Sequence, residues 1–230
     1  MIMYRESTAT VFYLRKMWYN YLKYICKKVE VLKMSKQIEL NDALLLGRGH
    51  HKAAYCYPGN PGLCIKIPYE TPDYDLKREL MYRKVRRWRG LPSSVLTEYH
   101  GTVETNLGIG YVFERMMDYD GKPSVSLEEF LSDKNLGSEK ERFVSDLLRQ
   151  LYRSELAEEI ITSDTNPENF YIWQKEPGRY CLRIIDNIGS PAFIPLIYFV
   201  PLLARRHVEK YWKRFIREIN QRHPHVSFNI

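Results

Sequence analysis

Three polar residues, Asp164, Asn169 and Asp186, have the types and spacing needed for phosphoryl-transfer chemistry. Asp164 and Asn169 lie five positions apart in a segment that Pro167 turns. A hairpin predicted over residues 170–185 then brings Asp186 back beside them. In phosphoryl transfer one carboxylate orients the attacking hydroxyl, while an amide and a second carboxylate hold magnesium. We therefore predict Asp164 as a catalytic residue and Asn169 and Asp186 as magnesium ligands.

A solitary cation in an apolar segment adds to this pattern. Lys66 lies within the predicted strand 63–67, and a buried ammonium is costly unless an anion is close. The predicted helix 75–88 supplies a candidate anion in Glu79. Most glutamates on such helices are only solvated, so the assignment of Glu79 depends on Lys66.

A glycine-containing turn precedes Lys66. Gly47 and Gly49 lie between two predicted strands, where the missing Cβ atoms would let the backbone approach a phosphate. We predict that backbone amides from Gly47 to His50 cover a nucleotide. A plain hairpin turn is the alternative, because Gly-x-Gly alone is common.

Composition favours a folded protein, and its positive net charge is poor evidence for nucleic-acid binding. The 230 residues are 44% hydrophobic, and the net charge is +7. Residues 1–34 hold seven of the 35 Lys and Arg and two of the 28 Asp and Glu, which leaves 28 basic against 26 acidic residues. The rest of the chain is therefore nearly neutral, and we expect no specific nucleic-acid binding.

The basic N-terminal segment leaves several interpretations open. Residues 10–33 repeat apolar side chains at helical steps and carry lysines and arginines between them. Such a helix could bind an anionic membrane surface or dock on the domain. Because Met34 could itself serve as a start, residues 1–33 could also be an added leader outside the natural product.

The cysteines and the hydropathy pattern indicate the compartment. None of the four cysteines is in a Cys-x-x-Cys pair, and Cys64 and Cys181 lie in strand-like apolar runs. We expect buried free thiols, which fit a reducing compartment. No uncharged apolar run reaches membrane-spanning length, and the N-terminus lacks the pattern of a cleavable signal. We expect a cytoplasmic protein.

The ordered set of motifs resembles the protein-kinase-like fold. The parts in chain order are Gly47, Gly49, Lys66, Glu79, Glu114 to Met116, Asp164, Asn169 and Asp186. The resemblance implies an α+β, two-lobed fold, with an antiparallel-sheet N-lobe at 34–117 and a small, mainly helical C-lobe at 118–230. It also implies bound ATP and Mg²⁺, with Lys66 as a second catalytic residue that holds the phosphates and Glu79 holding Lys66. A hinge near Glu114 and Met116 would offer backbone groups to adenine.

The chain from residue 34 onward also resembles the YrbL family of the bacterial PhoP regulatory network. The likeness lies in LLLGRGHHKAAYCYPGNPGLCIKI, GTVETNLGIGYVFERMMDYDGKPSVSLEEFL and IIDNIGSPAFIPL. It implies a bacterial source and a PhoP-linked stress response. It says little about the acceptor substrate.

Several departures from the protein-kinase pattern bear on the activity. Thr162 and Ser163 stand where protein kinases have His and Arg, and the third glycine of the nucleotide loop is missing. Only about 40 residues follow Asp186, without an Ala-Pro-Glu motif. We therefore expect a phosphotransferase for a small-molecule or sugar hydroxyl. The alternatives are a pseudokinase that binds nucleotide with little catalysis, and a basic adaptor that uses residues 10–33 to bind a membrane surface or nucleic acid.

Overall fold

A computed structural model describes residues 37–191 and 196–229 of the chain. The predictions made for residues 10–33, including the anionic membrane surface, lie outside the described residues. Among those that are described, no helix is both long and apolar enough to cross a membrane.

An antiparallel five-stranded sheet forms the first half of the fold. Its spatial order is β1-β2-β3-β5-β4. The strands are β1 (Leu45–Arg48), β2 (Lys52–Tyr57), β3 (Asn60–Pro68), β4 (Tyr99–Thr105) and β5 (Gly108–Glu114). One face is apolar because alternate residues of the central strands point inward, and Tyr55, Ile65 and Val112 are buried there.

Close packing at the centre of this sheet depends on a glycine. A Cβ added to Gly110 on β5 would lie 2.3 Å from Cγ2 of Ile65 on β3. No real Cβ contact is that short, so β5 needs glycine at this position.

Helix α1 (Tyr74–Arg89) follows β3 and joins the two halves of the protein. The Asp73 side chain accepts the Leu76 N–H at its start, and Gly90 ends it in the left-handed region. Leu76 packs against the sheet, whereas Tyr82 packs in the core of the second half. Because one helix is buried in both cores, it fixes the sheet relative to the second half.

The second half is mainly helical. Its helices are α2 (Leu127–Leu131), α3 (Ser138–Glu158) and α4 (Pro201–Arg222), and its small sheet contains β6 (Val125–Ser126), β7 (Phe170–Glu176) and β8 (Arg179–Ile184). The Ser126 hydroxyl caps α2 by accepting the Glu129 N–H. The largest core cluster lies here, between α3, α4 and the hairpin formed by β7 and β8.

This architecture confirms the α+β class and the antiparallel sheet followed by a mainly helical part. We call β1–β5 with α1 the sheet lobe, and β6–β8 with α2–α4 the helical lobe. The boundary between residues 117 and 118 stays a prediction.

Candidate functional site: an acidic cluster faced by two lysines

The candidate site lies where the sheet lobe meets the helical lobe. Asp186 follows β8, and its Oδ1 atom lies 2.7 Å from Nζ of Lys52 and 3.7 Å from Nζ of Lys66. Both lysines belong to the sheet lobe, one on β2 and one on β3. The two lobes are thus joined at this point by an ionic cluster.

Lys66 is buried and well compensated. Its side chain is 7% exposed, and its ammonium donates a 2.7 Å hydrogen bond to the Ile185 carbonyl. It also lies 4.4 Å from the centre of the Phe113 ring. Burial alone would lower the pKa of Lys66, but the charges of Asp186 and Glu79 outweigh it, and the pKa is raised. The cation expected from the sequence is therefore present and charged.

Asp186 is held as an anion. Burial alone would raise its pKa, but Lys66 and Lys52, together with hydrogen bonds from Lys52 and the Asn187 N–H, lower the pKa to about 2. The carboxylate is therefore ionised at neutral pH.

Asp164 lies in the loop after α3 and accepts four hydrogen bonds. Oδ1 accepts the backbone N–H groups of Thr165 at 2.7 Å and Asn166 at 3.2 Å. Oδ2 accepts the side-chain amides of Asn187 at 3.0 Å and Asn169 at 3.4 Å. The structure thus brings Asp164 and Asn169 together, and it links them to Asp186 through the adjacent residue, Asn187.

Asn187 belongs to the candidate site, and the sequence reasoning missed it. Its backbone lies in the left-handed region, at a φ of 57°, which Asn tolerates better than most residues. In this conformation the Asn187 side-chain amide donates a hydrogen bond to Asp164, and its backbone N–H donates one to Asp186. Its signal in the sequence was its place directly after Asp186.

The two loops that carry these acids are paired as a short antiparallel ladder. Thr162 bridges to Ile188, and the Ser163 N–H donates to the Asn187 carbonyl at 2.8 Å. The Gly189 N–H donates to the Ile161 carbonyl, also at 2.8 Å. This pairing fixes the spacing between the two acidic residues.

A cation reaches the first loop from another element. Nη2 of Arg78 on α1 donates to the Ser163 hydroxyl at 3.0 Å, and its Nη1 pairs with Asp75 at 2.7 Å. Nε of Arg78 is buried and has no hydrogen-bond partner among the described residues. Arg78 therefore lies beside the loop where protein kinases carry their arginine.

Glu79 does not pair with Lys66 as expected. It is buried and forms a two-pronged ion pair with Arg83, from Nε at 2.9 Å and Nη2 at 2.7 Å. Arg83 lies one turn later on the same face of α1, so Glu79 can reach it within the helix. A pair with Lys66 would instead have to span the gap between α1 and β3. Glu79 acts on Lys66 only through its charge.

The glycine turn is a closed hairpin turn in this structure. The Gly49 N–H donates to the Lys52 carbonyl at 2.9 Å, and Gly47, Gly49 and His50 are exposed at the tip. A Cβ on Gly47 would meet no atom of the described chain within 4 Å, so packing within that part of the protein does not explain this glycine. Nucleotide contacts by these residues stay a prediction.

In the expected hinge, the Glu114 side chain and the Met116 carbonyl form hydrogen bonds with other groups of the protein. The Glu114 carboxylate accepts Arg183 Nη2 at 2.7 Å and the Glu98 N–H at 3.0 Å. The Met116 carbonyl accepts the Ser124 N–H at 3.1 Å. These bonds stabilise the strand end that joins the lobes, and adenine binding by Glu114 or Met116 stays a prediction.

The donor atoms at the site are of the type that magnesium prefers. Asp186 offers a carboxylate, and Asn169 offers an amide oxygen because its nitrogen is the atom that donates to Asp164. Across residues 37–191 and 196–229, no cluster of three or more His, Cys, Asp or Glu side chains is placed to hold a metal. Magnesium would therefore need nucleotide phosphates and water to complete its ligands.

Comparison with known proteins identifies the family. Residues 38–220 match the family model of the PhoP regulatory network protein YrbL. The chain belongs to this family. The uncharacterized YrbL proteins of Escherichia coli strain K12 and Shigella flexneri are each 35% identical to it over 189 residues, which cover 79% of this chain and 87% of theirs.

Among solved structures, the crystal structure of the BubR1 kinase domain is similar. It shares 16% identity with this YrbL-family chain at a TM-score of 0.49. The match covers 78% of this chain and 59% of that one, so the chain spans less than two thirds of the kinase domain.

Proposed function

We propose that this YrbL-family protein is an ATP- and magnesium-dependent phosphotransferase with a small-molecule or sugar hydroxyl as acceptor. The observation that carries the proposal is the meeting of Asp164, Asn169 and Asp186 beside the buried cation Lys66. These residues come from three separate segments, and a packing role alone does not call for two carboxylates joined through one asparagine beside a buried ammonium.

The proposed mechanism gives each residue one task. Asp164 orients the acceptor hydroxyl and takes its proton, since two backbone N–H groups and two amides hold its carboxylate in one orientation. Lys66 binds nucleotide phosphate oxygens. Asp186 and Asn169 would hold magnesium, which supplies charge neutralisation on the phosphates.

Transfer of labelled phosphate from ATP tests this proposal. The substitution Asp164→Asn keeps the side-chain volume but removes the base, so we expect a loss of turnover of about 100-fold or more. Asp146→Asn is the matched control, because Asp146 is exposed on α3 and pairs with Arg149 on the same helix. Equal ATP turnover by Asp164→Asn and the parent would refute the role of Asp164.

A second proposal, a nucleotide-binding pseudokinase, is favoured by a specific observation. The Asp164 carboxylate accepts four hydrogen bonds, and Asp186 already pairs with Lys52 and Lys66. A thermal shift that grows with ATP concentration, without labelled-phosphate transfer to any acceptor, would support it. Transfer that depends on Asp164 would exclude it.

The remaining proposals concern location and partners. A role in a PhoP-linked stress response rests on the family name, and a cytoplasmic location rests on the sequence pattern. Binding of residues 10–33 to an anionic membrane surface is tested by co-sedimentation with phosphatidylserine vesicles. We expect deletion of residues 1–33 to abolish a salt-sensitive interaction, and unchanged sedimentation would contradict it.

A further inference from the structure

Lys52 has no assigned role in the proposed phosphotransferase, yet it makes a short ion pair within the site. Its Nζ lies 2.7 Å from Oδ1 of Asp186, and the two side chains are 14% and 18% exposed. It occupies the third glycine position of a Gly-x-Gly-x-x-Gly spacing that begins with Gly47 and Gly49. In that pattern a glycine, which has no side chain, lies beside the phosphates at this position. Here the position carries the ammonium side chain of a lysine.

The backbone of Lys52 is held in place by the sheet. Lys52 is the first residue of β2, paired with Pro68 of β3, and its carbonyl accepts the Gly49 N–H at 2.9 Å. The ammonium therefore extends from a sheet strand rather than from a free loop. This is the preorganisation that a ligand-binding side chain requires.

The two lysines carry more positive charge than the acid between them neutralises. Lys52 and Lys66 both face the single carboxylate of Asp186. Glu79, whose charge also acts on Lys66, is engaged by Arg83 on its own helix. Asp164 is a further acid of the site, but it accepts only uncharged donors and is joined to Asp186 through Asn187. Lys52 and Lys66 therefore share one carboxylate, and a phosphate would give the two ammonium groups a second anion.

A divalent cation would compete with Lys52 at Asp186. Magnesium binds carboxylate oxygen at about 2.0–2.1 Å and in octahedral geometry. An ammonium at 2.7 Å from Oδ1 already holds that oxygen, and two cations close to each other repel. Lys52 and magnesium are thus alternative cations for the carboxylate of Asp186 and for a phosphate bound beside it.

We propose that Lys52 and Lys66 together bind the nucleotide phosphates directly, with Lys52 taking the place of a divalent cation in nucleotide binding. This inference rests on the proposed nucleotide site, and it holds for the phosphotransferase and for the pseudokinase alike. Magnesium is then needed only for a transfer step, and ATP binds in its absence.

Calorimetric titration of the full chain with ATP, in excess EDTA and in millimolar magnesium, tests the inference. For the parent we expect dissociation constants in the two buffers that agree within about threefold. For Lys52→Met we expect binding in EDTA weakened by about tenfold or more, because a charge-assisted contact to phosphate is lost. Magnesium should restore much of that loss, since Asp186 is freed for the metal.

Two further variants sharpen the test. Lys134→Met removes an exposed lysine outside the site and should match the parent in both buffers. Asp186→Asn removes the carboxylate that competes for both lysines, so ATP should bind in EDTA at least as tightly as to the parent.

The opposite results would overturn the inference. Binding of ATP to the parent only with magnesium, or unchanged binding by Lys52→Met in EDTA, refutes the role of Lys52 and leaves the proposed function standing. No binding of ATP by the parent in either buffer overturns both.

Discussion

One buried acid, Glu155, should make the stability of the protein fall as the pH rises from 5 to 8. This residue lies on α3 and is 5% exposed. It lines a cavity of about 10 Å³ together with Thr162, Thr165 and Trp212, which leaves little room to hydrate a charge. Burial raises the pKa of Glu155 to about 8 from its ordinary value of 4.5.

The size and sign of the effect follow from that difference. The folded protein keeps the proton of Glu155 up to about pH 8, whereas the unfolded chain loses it above 4.5. The stabilisation is therefore fully present below pH 4.5 and is lost as the pH rises toward 8. At about 1.4 kcal/mol per pH unit the full change is about 5 kcal/mol, of which about 3 kcal/mol falls between pH 5 and pH 8.

Urea unfolding followed by tryptophan fluorescence between pH 5 and pH 8 measures this change. The substitution Glu155→Gln keeps the shape of the side chain but cannot ionise, so its free energy of unfolding should fall less with pH than that of the parent. The stability difference between the two proteins should shift in favour of Glu155→Gln by about 3 kcal/mol across the range. Glu139→Gln, an exposed change on the same helix, should follow the parent.

Parallel stability profiles for the parent and Glu155→Gln would refute the reasoning. They would mean that Glu155 ionises in the folded protein near its ordinary pKa. The side chain would then have access to water or to a cation within the fold.

Two further substitutions test the packing of the sheet lobe and its contact with the helical lobe. Gly110→Ala places a methyl group 2.3 Å from Ile65, so the free energy of unfolding in urea should fall by about 1–3 kcal/mol, and an unchanged midpoint would show that β5 can shift. Arg183→Met leaves the Glu114 carboxylate without its 2.7 Å partner, and we expect a loss of about 2–3 kcal/mol, below the range for fully buried pairs because Glu114 is 26% exposed. Adding Glu114→Gln to Arg183→Met should recover most of that stability, and no recovery in the double variant would contradict the assignment of this ion pair.

The local parts of the candidate site were predictable from the sequence. A five-residue spacing between Asp164 and Asn169, with Pro167 between them, places both in one turn, and a hairpin of matched strands returns Asp186 to its start. These relations depend on short-range geometry, which residue types determine well. Lys66 was identified by the cost of burying a charge.

The partners of these residues were harder to predict because they depend on how distant elements pack. The prediction that Glu79 pairs with Lys66 was wrong, since Arg83 lies on the same helix face and is closer. The ion pair of Lys52 joins residues 134 positions apart, and nothing in the local pattern marks it. The contacts of Asn187 depend on its left-handed backbone conformation, which an asparagine can adopt but which the sequence does not require.

The ladder between residues 161–163 and 187–189 has a consequence for how a ligand could enter the proposed site. Hydrogen bonds join the loop that carries Asp164 to the loop that carries Asp186, so neither loop can move without the other. A ligand of the proposed site would then approach from the side of Lys52 and Lys66, by separation of their ammonium groups from Asp186. Because α1 is buried in both cores and fixes the sheet, this separation would be a local change in the two lysine side chains.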